Sequence, residues 1–193
     1  LKKVRLSLGL HPLMASSHAK EFPLFMKCLD MTSYIGEVGL DFSKDGIATK
    51  NTQLYSFEKI LKALSNKNKI LSIHSRLAEK EVLGMLRKHK IENAIFHWYS
   101  GGLKLIDEII DSGYYFSINT AMIKSVNGQK IIKRIPKEFI LTETDGPFIG
   151  AATNEALKDV CNPNNLFNDV SQSPTDKALE DEMIEGFFSN IMM

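Results

Sequence analysis

Six short apolar runs, at residues 4–10, 34–38, 70–73, 94–96, 114–118 and 139–142, alternate with stretches of helical periodicity, and this alternation constrains the 193-residue chain more than any other feature. Runs this short suit buried strands, and strands joined by helix-length connections pair in parallel because the chain must cross back over the sheet. An α/β class with a parallel sheet follows. Between the runs, Leu54, Phe57, Leu61 and Leu64 recur at steps of three, four and three residues, which puts them on one helical face. Val82, Leu83 and Leu86 repeat the pattern, as do Leu105, Ile106, Ile109 and Ile110, with Gly113 as a C-terminal cap. Each such stripe is expected to cover the sheet. Residues 150–173 form a polar loop containing the turn cluster Asn162-Pro163-Asn164-Asn165. Ser173-Pro174-Thr175-Asp176 then opens a last helix over 174–192, whose Leu179, Met183, Phe187 and Ile191 make a docking stripe. The chain reads as a single domain over 1–193.

Strand-helix repetition is compatible with an open doubly wound sheet or with part of an eight-stranded barrel, and in both folds reactive residues gather where parallel strands end. Glu37 stands within the second apolar run, His74 and His97 directly follow the third and fourth, and Asp145 lies three residues beyond the sixth. These two imidazoles and two carboxylates are therefore expected to converge on one rim. Left unpaired in a half-buried site they would be costly, and together they are the mixed nitrogen and oxygen ligands that zinc, manganese or magnesium accept. A lone His ending an apolar run is more often a satisfied core residue. Two of them, with Glu and Asp at equivalent places, favour a site for a divalent cation.

Composition excludes other classes. With 44% hydrophobic and 24% charged residues, the chain is neither fibrous nor disordered. No apolar run approaches the roughly 18 residues of a membrane span, and no secretory pattern opens the sequence, so it reads as cytoplasmic. Cys28 and Cys161 match no disulfide or zinc spacing and read as plain thiols. The net charge of +1 divides unevenly: residues 1–150 hold 22 Lys and Arg against 15 Asp and Glu, net +7, whereas 151–193 hold 2 against 8, net −6. Lys124, Lys130, Lys133, Arg134 and Lys137 form the densest basic stretch; it could meet phosphates but reads first as a solvated face.

Five words in order sharpen this picture: Leu8-Gly9-Leu10-His11-Pro12, Ile35-Gly36-Glu37-Val38-Gly39-Leu40-Asp41-Phe42, Ile73-His74-Ser75-Arg76, Phe96-His97-Trp98-Tyr99-Ser100-Gly101 and Leu141-Thr142-Glu143-Thr144-Asp145-Gly146-Pro147. Together they resemble the TatD family of metal-dependent deoxyribonucleases. The resemblance implies a TIM-barrel-type hydrolase that polarises a water against a phosphodiester of DNA. It implies that Glu37 bridges two metals, that His74 and His97 complete one site, and that Asp145 binds the other and handles the water proton. Glu143, two residues before Asp145, is expected to orient ligands or water. Arg76 and His11 are candidates for the substrate phosphate, with an ordinary salt bridge and a Pro12-fixed turn as their respective plain readings. Asp41 is expected to bond a site histidine or a loop backbone, and Trp98 to pack. His18 and His89 read as loop or helix-surface residues.

The resemblance also implies a first strand bearing a His-x-His pair, and no such pair occurs in these 193 residues. About six of the eight barrel strands are thus expected, with a remnant metal site suited to a hard cation such as magnesium and with open sheet edges that favour self-association. Two further readings stay open: a metal-dependent amide or ester hydrolase of a small metabolite, and a non-catalytic interaction module.

Overall fold

The computed structural model describes residues 5–143 and Asp145. Five parallel strands, β1 (Tyr34–Gly39), β2 (Ile70–His74), β3 (Ala94–Phe96), β4 (Tyr115–Ile118) and β5 (Ile140–Thr142), form one sheet in sequential order. Helices α1 (His18–Cys28), α2 (Lys50–Leu64), α3 (Glu79–Lys88), α4 (Leu103–Asp111), α5 (Thr120–Lys124) and α6 (Val126–Arg134) precede or connect them. Sequential parallel order with a covering helix in each crossover is the repeat of a TIM-type barrel. Of the six expected strands, the first is reduced to a single parallel bridge from Leu8 to Ile35, supported by Leu8 N–H donating to the Tyr34 carbonyl (3.0 Å). The polar loop over 150–173, the helix over 174–192 and Cys161 lie outside the described residues.

The apolar stripes bury as the periodicity requires. Phe57, Leu61 and Leu64 of α2 enter the core together with Ile60, while Leu54 is half-buried at its edge. Val82, Leu83 and Leu86 of α3 are buried, as are Ile106 and Ile109 of α4, and Gly113 with φ of 77° ends α4 by donating to the Ile110 carbonyl (2.7 Å). Under them lie Ile35, Val38, Leu71, Ile73, Phe96, Phe116 and Ile118 of the sheet. Fully burying each such side chain contributes about 1.5–3 kcal/mol, so this interface holds the strand ends in register. One backbone position is especially constrained. Gly39 (φ 143°) lies opposite His74, and a Cβ there would stand 2.0 Å from the His74 carbonyl oxygen. Only glycine lets β1 close onto the end of β2. Helices α1, α5 and α6 have no counterpart among the apolar stripes: α1 contains Pro23, and α6 falls in the stretch that reads as a basic face. No described helix is long and apolar enough to cross a membrane.

Candidate functional site

Strand register builds the site. Gly39 pairs with His74 and Ile73 with Phe96, and the His97 N–H donates to the Ile73 carbonyl (3.0 Å), so His74 and His97 leave adjacent strands at one level. Ile118 pairs with Thr142 and accepts from the Glu143 N–H (2.9 Å), which brings the end of β5 to the same rim. His11 arrives from the segment beside β1, where Leu10 N–H donates to the Glu37 carbonyl (3.1 Å).

The Glu37 carboxylate stands at the centre. Its Oε1 lies 2.7 Å from His74 Nδ1, and its Oε2 lies 3.5 Å from His11 Nε2 and 3.9 Å from His97 Nε2. Asp145 Oδ1 is 3.4 Å from His97 Nε2. One ligand atom each from His11, Glu37 and His74 fall within 4.8 Å of one another, a spacing that a single cation can span. His97 adjoins this trio through Glu37 Oε2, and Asp145 adjoins it through His97. All four residues read from the sequence as ligands, and His11 besides, meet in one volume.

Each imidazole is turned by a partner on its other nitrogen. His74 Nε2 donates to Asp41 Oδ2 (2.8 Å), and Asp41, wholly buried, also accepts from the Ser43 N–H (2.8 Å). His97 Nδ1 contacts Glu143, whose two oxygens accept from Ser117 Oγ (2.6 Å) and Asn119 Nδ2 (2.9 Å). His74 therefore presents Nδ1, and His97 presents Nε2, toward Glu37. Outer hydrogen bonds that fix ring tautomer and direction are the usual surroundings of metal-bound histidine, so this donor set fits a divalent cation. His11 differs: its Nδ1 accepts from the Leu13 N–H (3.2 Å), so the neutral ring carries its proton on Nε2, the nitrogen facing Glu37.

Electrostatics follow from this packing. Burial pushes the Glu37 carboxyl up, but bonds from His11 and His74 and the charges of His97 and His74 outweigh it and hold Glu37 far below the usual carboxylate range. Burial lowers His97, yet the Glu143 bond and the Glu143, Glu37 and Asp145 charges carry it up to about 9. His74 is raised in the same way by Glu37 and Asp41 against its burial. Asp145 is pushed up by burial and, against His97, by the Glu143 and Glu37 anions. In such a cluster protons and metal compete for the same nitrogens.

Arg76 lies at the rim, about half exposed, with Nη1 3.4 Å from Asp45 Oδ2. The ordinary salt bridge weighed for it is therefore present, at a distance and exposure worth little. Asp41 does both things expected of it, bonding His74 and its own loop. Trp98 differs from the packing residue expected: it is 38% exposed, with φ of 40°. His18 is not a surface residue. It is buried, with Nδ1 3.0 Å from Ser56 Oγ and Nε2 3.1 Å from the His11 carbonyl oxygen, so it ties the His11 turn to α2. Burial lowers its pKa and keeps the ring neutral, as a donor and acceptor in one bridge requires. His89 lies against Glu58 (3.0 Å), outside the cluster. Ser117, Asn119 and Gln53 carry no signal in the motifs, although the first two sit at the end of β4, the same position relative to a strand that marks Glu37 and His74. Gln53 accepts from the Asp41 N–H (2.7 Å) and donates to the Gly46 carbonyl (2.7 Å), which fixes the Asp41 loop on α2.

Known proteins resemble the chain in sequence and in fold. The TatD related DNase family matches residues 1–188. The chain is 30% identical over 157 residues to the human deoxyribonuclease TATDN3, and 29% identical over 150 residues to an uncharacterised metal-dependent hydrolase of Methanocaldococcus jannaschii. These matches cover 74% and 76% of the chain but only 57% and 58% of the two relatives, so the chain spans little more than half of their length. A TatD homologue from Escherichia coli superposes with a TM-score of 0.73 at 20% identity, covering 97% of this chain and 76% of that one. A TatD family hydrolase from Entamoeba histolytica gives 0.61 at 21% identity, covering 72% and 49%. At these identities the two structures show the shared TIM-barrel-type fold alone. With its ordered rim residues and a family match over almost its whole length, the chain belongs to the TatD related DNases.

Proposed function

We propose that the chain is part of a divalent-metal-dependent hydrolase that cuts phosphodiester bonds in DNA. Glu37, His74, His97 and Asp145 hold one or two ions of Mg2+, Mn2+ or Zn2+, Glu37 and Asp145 are the catalytic groups, and His11 and Arg76 contact the substrate phosphate. The observation that carries this reading is the Glu37 carboxylate ringed by three imidazoles, two of which are aimed by Asp41 and Glu143. When bound, a divalent cation supplies positive charge against phosphate oxygens and acidifies water. The chain's own residues account for the rest. Asp145, raised by burial beside two other carboxylates, is a better proton acceptor than an ordinary aspartate and takes the proton of the attacking water. His11, protonated on Nε2, donates to a phosphate oxygen. Arg76 exchanges its weak contact with Asp45 for the phosphate, since an exposed pair gives up little when broken.

The working compartment in this reading is the cytoplasm. Among the described residues β5 ends the sheet with its outer edge free to pair, which supports self-association. The test titrates Mn2+ or Mg2+ while following cleavage of single-stranded DNA by the protein and its Asp145→Asn form. Metal-dependent cleavage that drops at least a hundredfold in the variant is expected, and equal cleavage by both would remove the assignment.

A further inference from the structure

We infer that Trp98 is a nucleobase-stacking platform at the mouth of the site, taking an unstacked base of single-stranded DNA next to the phosphate that His11 and Arg76 contact. The inference rests on reading the Glu37 cluster as a phosphodiester site. Trp98 follows His97 directly in the loop after β3, so its Cα lies about 3.8 Å from that of a residue lining the cluster. It is 38% exposed although large and apolar. Both of its chain neighbours are fixed. His97 is clamped by Glu143, and Tyr99 is buried with its ring 5.4 Å from that of Phe116 and its hydroxyl donating to the Gly102 carbonyl (2.9 Å). Between these anchors the backbone of Trp98 takes φ of 40°, a left-handed conformation uncommon for a bulky side chain. The anchored neighbours thus limit the backbone at Trp98, whose indole is partly exposed.

The surroundings extend the same chemistry. Leu77 follows β2 with φ of 56° and 66% exposure, and Leu13 and Met14, just beyond His11, are 39% and 57% exposed. Each of these exposed apolar residues thus lies within a few positions of a residue of the Glu37 cluster: Trp98 beside His97, Leu77 three after His74, and Leu13 and Met14 two and three after His11. A nucleotide has the matching character, an anionic phosphate joined to a flat aromatic base. Bases in single strands offer free faces for stacking on aromatic side chains, whereas bases inside a duplex do not.

Trp98 is the only tryptophan in the chain, so intrinsic fluorescence reports on this residue alone. The whole chain is titrated in Mg2+ with a hydrolysis-resistant phosphorothioate oligothymidylate, with an abasic oligomer of equal phosphate count, and with a duplex. Expected is quenching by the single strand and not by the abasic oligomer or duplex. With a labelled single strand, Trp98→Ala should raise Kd about tenfold and Trp98→Phe no more than about threefold. Equal quenching by the abasic oligomer, unchanged affinity in Trp98→Ala, or an emission in the free protein that acrylamide cannot reach would each overturn the inference. Base-dependent quenching without hydrolysis of the ordinary phosphodiester would leave the stacking site standing and remove the nuclease. Hydrolysis that is identical in Trp98→Ala and the unsubstituted protein would do the reverse.

Discussion

Replacing Glu143 by Gln should flatten the alkaline stability profile of the metal-free protein. Glu143 bonds His97 Nδ1 and is itself held by Ser117 and Asn119, so the shorter-range part of the rise in His97 to about 9 depends on this one carboxylate. A rise from the ordinary 6.5 to about 9 is equivalent to about 3 kcal/mol of preference for the protonated ring. The folded value is raised, so the stabilisation is fully present below pH 6.5 and is lost as pH climbs through about 9. In EDTA, urea unfolding of the unsubstituted protein at intervals from pH 6 to 9.5 should therefore show a decline of roughly that size, to which His74, also raised, adds in the same direction. In Glu143→Gln the carboxamide keeps its shape but not its charge, and the fall across this window should shrink by more than half. The two forms differ only at Glu143, so subtracting the curves removes the His74 contribution. If the variant loses as much stability between pH 6.5 and 9 as the parent, the Glu143 bond is not what raises His97, and the account of how that ring is aimed fails.

The same competition makes metal affinity pH-dependent: calorimetric titration of Mn2+ should show apparent affinity rising about tenfold per pH unit between 7 and 9, and a flat profile would mean that no site histidine loses a proton on binding. Asp41→Asn should weaken metal binding 10- to 100-fold while leaving far-UV circular dichroism unchanged, because the buried carboxylate that directs His74 Nδ1 toward Glu37 loses its charge. Leu86→Ala, at a fully buried position of α3, should cost about 2–5 kcal/mol by urea unfolding, with metal affinity in the folded fraction unchanged.

The chain order of apolar runs and helical stripes is a local property, so parallel strands, covering helices and a shared rim for Glu37, His74, His97 and Asp145 were legible from residue spacing alone. Each of those residues lies in the last part of a run or follows one, and parallel pairing leaves few other places for them to go. Tertiary structure decided what spacing does not encode. Which nitrogen of each ring faces Glu37 depends on Asp41 and Glu143, held in turn by Ser43, Ser117 and Asn119 from other elements. His18 reads in sequence as a loop residue and becomes a buried brace for His11 because α1 packs on α2, bringing it to Ser56, 38 residues away. Trp98 reads in sequence as a packing residue, yet it is 38% exposed in the loop after β3, between the clamped His97 and the buried Tyr99. Burial of one side chain is settled by the positions of all its neighbours, and those are known only once the chain has folded.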